Sequence, residues 1–303
     1  MGQIRFCLIT LGLLLSVPAA LAADNSPTTP DELADCAGIF NPVGMPSGKD
    51  GADEHEFVFA NGLTPEPLPG STAKREVPTF LYKCYKKGFA VRLNAVTKVP
   101  DWVAEDVTLE ESQGPAGRSN HFFEDIDLPE GFSSHLSDYR GSGLDRGHQA
   151  PAGDFSGDQE LKNETFVLSN MGPQVGACFN RGIWKDLETA LRDLVKTRGR
   201  LIIFTGPIYG DRLKTIGDTV KSKKNANVAV PDAFFKIVYS PRDNRTMAVE
   251  ISNQAHCDQS YQDPEFLTSV KDIEEKTGFT FFPMLSAREH KLLTMQKSAA
   301  WTW

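Results

Sequence analysis

The sequence predicts one α+β domain over residues 80–297, with a mixed or antiparallel central sheet and flanking helices. Three observations predict it. Apolar runs of strand length recur from Phe80 to Ile251, some of them joined by turn residues. A few longer stretches carry helical three-and-four spacing. No internal repeat and no break in composition interrupts residues 80–297, so one domain is the economical reading. The chain has 303 residues, 40% hydrophobic and 24% charged, enough apolar mass for a core. That excludes a disordered chain, a collagen-like repeat and a disulfide mini-protein. The formal charge of −8 argues against a histone-like coat for nucleic acid. A nucleic-acid enzyme stays open, because only the local field at a site matters.

The elements follow in order. Arg5, the apolar run Phe6–Val17, and Ala19-Ala20-Leu21-Ala22-Ala23 have the three-part form of a secretory signal peptide over residues 1–22. The expectation is a secreted or periplasmic protein with no membrane span after cleavage. Residues 23–79, rich in Pro, Gly, Asp and Glu, read as an irregular arm pinned by Cys36. Phe80–Tyr85 and Phe89–Leu93 read as strands across Lys87-Gly88, and residues 112–143 as a long loop. Thr165–Ser169 reads as a strand. A helix is expected from about Asn180 to Lys196, with Trp184, Leu187, Leu191, Leu194 and Val195 as one buried stripe. Leu201–Thr205 reads as a buried strand stopped by Gly206-Pro207. Phe234–Tyr239 and Met247–Ile251 form a hairpin around residues 240–244. Helices are expected near 263–277, closed by Gly278, and 286–297, followed by a tail at 298–303.

Cys7 falls within the signal, leaving Cys36, Cys84, Cys178 and Cys257. An even count in an exported chain implies two disulfides, both expected outside the catalytic motif. Four cysteines allow three pairings and the sequence does not choose between them; proximity alone favours Cys36–Cys84 and Cys178–Cys257. Charge is uneven. Residues 101–170 hold 15 acids and 4 bases, while residues 171–240 hold 12 bases and 6 acids. Arg192, Lys196, Arg198, Arg200, Arg212, Lys214, Lys221, Lys223 and Lys224 read either as a solvated face or as a strip that binds polyanions.

Chemistry concentrates in Asp145-Arg146-Gly147-His148-Gln149-Ala150-Pro151-Ala152-Gly153-Asp154. Histidine takes a proton near neutral pH, arginine matches two phosphate oxygens, and glycine lets backbone approach a ligand closely. Asp145 and Asp154 read as hydrogen-bond acceptors that fix this loop. Asn170-Met171-Gly172-Pro173-Gln174 follows. Then come Asn180, Trp184 and Glu188, four apart and so on one side of a helix, where a metal at the helix start would meet Asn180. The rival reading of Asn180 is a helix N-cap, and Trp184 reads as core. His121 and His135, in the loop before the motif, read as surface residues by default; His55, His256 and His290 have no partner pattern. Asn163-Glu164-Thr165 and Asn244-Arg245-Thr246 match the glycosylation pattern.

The blocks Asp145-Arg146-Gly147-His148, Asn170–Gln174 and Asn180…Trp184…Glu188 resemble the DNA/RNA non-specific endonucleases, in the ββα-metal or His-metal finger superfamily. The resemblance runs from about Phe80 to Pro283, and includes Asp101–Ala104, Val230–Lys236 and Gly278–Pro283. It implies a ββα-metal core and a Mg²⁺-dependent, sugar-nonspecific nuclease acting on DNA and RNA and leaving 5′-phosphates, with Mn²⁺ as a substitute cation. It implies His148 as general base, Asn180 as the direct Mg²⁺ ligand and Glu188 as holder of the metal's waters. Arg146 and Asn170 would orient groups around the phosphate, and Arg118 would contact it. A homodimer and an inhibitor protein are compatible partners. The rivals are a phosphodiesterase on a small nucleotide or lipid substrate, and a nucleic-acid-binding protein with a dead site.

Overall fold

Alternating apolar positions along seven runs of chain build the central sheet. The computed structural model describes residues 35–48, 80–224 and 226–295. The signal segment, most of the arm and the C-terminal tail therefore lie outside the described residues. The strands are β1 (Ser47–Gly48), β2 (Phe80–Tyr85), β3 (Phe89–Asn94), β4 (Trp102–Thr108), β5 (Leu144–His148), β6 (Met171–Val175), β7 (Arg200–Ile208), β8 (Ala233–Ser240), β9 (Arg245–Ser252), β10 (Leu267–Thr268) and β11 (Phe279–Thr280). The large sheet runs β10-β9-β8-β7-β4-β3-β2, with every neighbouring pair antiparallel. β1 pairs with β11, and β5 with β6, as separate two-stranded units. The fold is thus α+β on an antiparallel sheet, as expected from sequence.

Each face of the sheet has its own core. One face buries Trp102, Phe204, Phe235, Ile237 and Ala248. It is covered by α2 (Val270–Thr277) and α3 (Ala287–Thr294) through Val270, Ile273 and Leu293. The other face buries Val107, Ile203, Phe234, Val238 and Val249 against α1 (Trp184–Arg198). Trp184, Leu187, Leu191 and Val195 of α1 are fully buried, at the spacing the sequence displays, while Leu194 is only half-buried. Burying side chains of this size is worth about 1.5–3 kcal/mol each, which fixes α1 to the sheet.

Four local expectations are corrected. Thr165–Ser169 is a turn with one isolated bridge, Phe123 to Val167, followed by a 3₁₀ turn at Leu168–Asn170. The cause is Asn170, whose Nδ2 donates to Thr165 O (2.9 Å) and folds the chain back on itself. β7 does not stop at Gly206-Pro207 but continues to Ile208. The last β4 pairing is Val103 with Thr205, so Pro207 lies where one side of β7 has no partner strand and its missing N–H is tolerated. The helix expected from Asn180 starts at Trp184, for reasons given below. The helix expected from residue 263 starts at Val270, after the 3₁₀ turn Pro264–Phe266 and β10, because Ser269 and Asp272 form a capping box there. Its end is as expected: Gly278 has φ 80°. The described part of the arm, tied to β2 by Cys36–Cys84, packs inward. Ile39, Phe40 and Val43 join the core with Trp102.

The disulfides are Cys36–Cys84 and Cys178–Cys257.

Candidate active site

The site is a ββα unit laid across the α1 face of the sheet. β5 and β6 pair with Asp145 opposite Gln174, Arg146 opposite Pro173, Gly147 opposite Gly172 and His148 opposite Met171. Arg146 and His148 are two apart on one strand and share a face. Gly147 is required by contact: a Cβ there would lie 2.0 Å from Gln174 Oε1. Beyond His148 the strand is locked from behind. Asn170 Oδ1 accepts from Ala150 N (2.9 Å), and its Nδ2 donates to Ala150 O (2.9 Å) as well as to Thr165 O.

Asn170 is therefore fully buried and spends both amide groups on backbone. It does not line the cleft, which corrects its expected place around the phosphate; its work is to hold the chain behind His148.

Between β6 and α1 the chain makes wide turns over Gly176–Ile183. Cys178 has φ 60° and Gly182 has φ −126°, ψ −114°, so no regular helix passes through. This is why α1 begins at Trp184. It also corrects two expectations: Asn180 sits in the turn, not on the helix, and it is not the N-cap, which is Ile183 without a side-chain cap. Asn180 Nδ2 donates to Asp145 Oδ2 (2.9 Å), and Arg181 Nη1 pairs with the same oxygen. With its nitrogen committed, Asn180 is left with its amide oxygen as the group for a ligand. Gly176 makes room for this cluster, since a Cβ there would meet Arg181 Nη2 at 2.6 Å and Asp145 Oδ1 at 2.8 Å. Cys178, two residues before Asn180, is tied to Cys257. This disulfide lies outside the motif in sequence yet beside the turn that carries Asn180.

His148, Arg146, Arg118, Asn180 and Glu188 are brought together around one cleft of about 840 Å³. On α1, Lys185, Glu188 and Arg192 follow at three- and four-residue spacing and line the same cleft. Arg140 and Arg181 line it too, giving six cationic side chains against the acids Asp145 and Glu188. Arg140, Arg181, Lys185 and Phe122 also line the cleft, with no role assigned to them from sequence. Arg181 and Lys185 were readable from their closeness to Asn180. Arg140 and Phe122 lie in patternless loop, and only folding brings them here. His121 and His135 are exposed and outside this lining, and His135 faces Glu124 at 3.0 Å. His256 and His290 are engaged structurally, with Gln259 Oε1 (2.6 Å) and Phe281 O (2.9 Å).

The electrostatics follow from burial. His148 is 8% exposed. Burial first, then the charges of Arg118 and Arg146, push its pKa down to about 3, so the imidazole is neutral at working pH. Its Nε2 has no hydrogen-bond partner among the described residues. Glu188 is pushed up to about 7 by burial, with Lys236 opposing and Asp154 adding. Beneath it lie Lys236 and Glu105, each 1% exposed and 3.9 Å apart. Lys236 Nζ donates to Thr205 Oγ1 (2.7 Å) and Gln149 O (3.4 Å). Asp154, 2% exposed, pairs with Arg192 (2.7 Å), so Asp154 fixes its loop to α1 as the sequence suggested.

Among the described residues, five of the nine bases in the basic run are paired with aspartates. Arg192, Lys196, Arg198, Arg200 and Lys214 pair with Asp154, Asp193, Asp243, Asp106 and Asp232 respectively. Arg192, Lys196 and Arg198 all lie on α1, and these pairs lower the positive charge that the helix presents.

The residues present fit a hard divalent cation. The donors are an amide oxygen, Asn180 Oδ1, and the Glu188 carboxylate, which no hydrogen bond holds among the described residues. No group of three or more His, Cys, Asp or Glu is poised to hold a metal among the described residues. One or two protein oxygens with the rest water is the mode Mg²⁺ prefers.

The sequence profile of DNA/RNA non-specific endonucleases matches residues 69–288. The chain is 38% identical over 211 residues to Nuclease C1 of Cunninghamella echinulata var. echinulata, covering 66% of this chain and 82% of that one. It is 36% identical over 220 residues to a nuclease of Syncephalastrum racemosum, covering 66% and 67%. Its fold is similar to a chain in the crystal structure of the EndoG/EndoGI complex, with TM-score 0.61 and 31% identity, covering 72% of this chain and 92% of that chain. Other relatives bear mitochondrial names: nucleases of Schizosaccharomyces pombe and Saccharomyces cerevisiae, and endonuclease G of Caenorhabditis elegans and Bos taurus. These names overturn the secreted or periplasmic location expected from the N-terminal segment. In sequence over most of its length and in fold, the chain belongs to the DNA/RNA non-specific endonuclease family.

Proposed function

We propose that this chain is a Mg²⁺-dependent, sugar-nonspecific endonuclease in which His148 is the general base and Asn180 the metal ligand. The observation that carries the reading is the Asp145–Asn180 hydrogen bond of 2.9 Å. It fixes the Asn180 amide with its oxygen free, in a turn that lines one cleft with His148 and Glu188. Asn180 Oδ1 would hold the cation and Glu188 its hydration shell. When bound there, the cation supplies Lewis-acid stabilisation of the phosphoryl oxygen and the leaving alkoxide.

The rest is done by the chain. Arg146 and Arg118 would grip the phosphate, since a guanidinium fork matches two of its oxygens. Neutral His148 would take the proton of a water in line with the scissile bond, a contribution typically of ~10²–10⁴-fold. Water oxygen bonds to phosphorus, the P–O3′ bond breaks, and a 5′-phosphate and a 3′-hydroxyl remain. Contacts to phosphate position the substrate without reading bases, which accounts for action on both DNA and RNA. Arg140 and Lys185 along the cleft, beside Arg118 and Arg146, offer more positive charge than one small diester requires, which favours a polymer. The relatives' names point to the mitochondrion for the location, which fractionation of cells expressing the full chain tests. The similar structure is a complex with an inhibitor, and an inhibitory partner belongs to the same reading.

The test is a gel. Wild type and His148→Ala are incubated with supercoiled plasmid and with total RNA, with Mg²⁺ and with EDTA. Cleavage of both substrates, lost with EDTA and in the variant, is the expected result. Near-native turnover by folded His148→Ala removes the base assignment. A folded, Mg²⁺-supplied wild type that cuts neither polymer removes the nuclease.

A further inference from the structure

Two aromatic rings flank His148, Phe122 on the cleft wall and Phe166 buried behind it. Phe122 is half-buried and comes from the loop between β4 and β5, whereas Phe166 is fully buried and comes from the turn before β6. Their ring centroids are 5.2 Å apart, near perpendicular at 75°. The His148 imidazole touches both, 5.7 Å from Phe122 and 4.9 Å from Phe166, the latter edge to face at 88°. Each phenyl ring also carries an arginine. The Arg146 guanidinium lies 4.1 Å from the Phe122 centroid, and that of Arg118 lies 5.1 Å from Phe166. Three segments remote in sequence thus meet through two rings.

We propose that Phe122 and Phe166 form an aromatic clamp that positions His148, Arg118 and Arg146 as one preorganised unit, an inference that rests on His148 being the general base.

Edge-to-face contact with one ring and tilted contact with another leaves the imidazole little freedom to rotate. The ring faces are the negative end of the quadrupole and hold the guanidiniums by cation–π attraction. The arginines are thereby kept extended towards the cleft instead of collapsing onto Asp145 or Glu188. The same rings keep water off the imidazole. The charged groups facing His148 are Arg118 from the loop and Arg146 from β5, with Glu188 of α1 lining the same cleft. Burial and the two guanidiniums both favour the neutral base. Opening the clamp admits water, so the imidazole pKa rises towards its ordinary value of about 6.5. The base is then lost as pH falls through a range where the wild type keeps it.

The probes are Phe122→Leu, Phe122→Tyr and His148→Ala in the full chain. kcat and KM are measured on a labelled duplex with saturating Mg²⁺ from pH 5 to 9, beside thermal melts. Phe122→Leu is expected to keep its fold, to lose about tenfold or more in kcat through misplacement of the base, and to show an acid limb moved up towards pH 6. Phe122→Tyr, which keeps the ring, restores both. Phe122→Met replaces the leucine variant if leucine lowers the melting temperature substantially.

An unshifted pH profile in a folded Phe122→Leu enzyme overturns the clamp, whatever happens to kcat, provided His148→Ala is inactive. So does failure of the tyrosine variant to restore the profile. An active His148→Ala enzyme overturns the base assignment itself, which separates the two failures.

Discussion

At the scale of single residues, the site is built by committing polar atoms. Asp145 is the clearest case. Its carboxylate takes the Asn180 amide nitrogen and the Arg181 guanidinium together. Partners that orient a metal ligand typically account for ~10–100-fold in metal affinity. Asp145→Ala is therefore expected to raise the Mg²⁺ concentration for half-maximal activity by at least about tenfold, with activity largely regained at high Mg²⁺. A metal titration identical to wild type would show that the Asn180 oxygen needs no such partner. Of these residues, Arg146 and His148 were legible in sequence, because one ten-residue segment holds them with glycine at a position no side chain fits. The inward turn of Asn170 was not legible, because its hydrogen-bond partners Ala150 and Thr165 are assigned only by the fold. Lys236 reads as an ordinary alternating strand residue. The fold buries it with Glu105, two strands away in the sheet and 3.9 Å distant.

At the scale of elements, the segment Gly176–Ile183 joins a strand to a helix without being either. The apolar spacing runs back through Ile183 and Phe179, both buried with Leu187 and Leu191, so spacing alone extends the helix too far towards Asn180. Cys178 in the left-handed region, with Gly182 also outside helical geometry, breaks the helix in a way that hydrophobic periodicity does not register. What fixes such a turn is covalent and local: Cys178–Cys257 on one side of Asn180, the Asp145 carboxylate on the other. The double variant Cys178→Ser, Cys257→Ser is expected to lose ~2–4 kcal/mol of unfolding free energy. Because Asn180 rides on this turn, it should also need more Mg²⁺ for half-maximal cleavage. Denaturant melts and metal titrations on the same sample separate the two effects. Lower stability with an unchanged metal midpoint would mean that Asp145 alone holds the ligand. The corresponding change at Cys36–Cys84, which ties the arm to β2 away from the cleft, should lower stability and leave the metal midpoint unmoved.

At the scale of the molecule, an acidic protein presents a cationic cleft. The net charge of −8 repels a polyanion at long range, while six cationic side chains line the site against two acids. Pairing accounts for it: Arg198, Arg200 and Lys214 outside the cleft, and Arg181 and Arg192 within it, are matched with aspartates, so Arg118, Arg140, Arg146 and Lys185 carry the cleft's positive charge. Arg140 and Lys185 are exposed on the cleft wall. Substrate binding should then depend on salt through a few local phosphate contacts instead of through the whole surface. Each neutralised phosphate contributes a slope of about −0.9 in log affinity against log salt on duplex DNA. Replacing Arg140 and Lys185 by glutamine is expected to raise KM for a long duplex and to flatten its salt dependence by up to about two such contacts. A substrate of only a few nucleotides, gripped by Arg118 and Arg146 alone, should show little change. Equal losses on long and short substrates would place Arg140 and Lys185 at the scissile phosphate. An unchanged salt slope on the long duplex would mean that neither side chain meets the substrate, and that the cleft's charge acts only on the phosphate being cut.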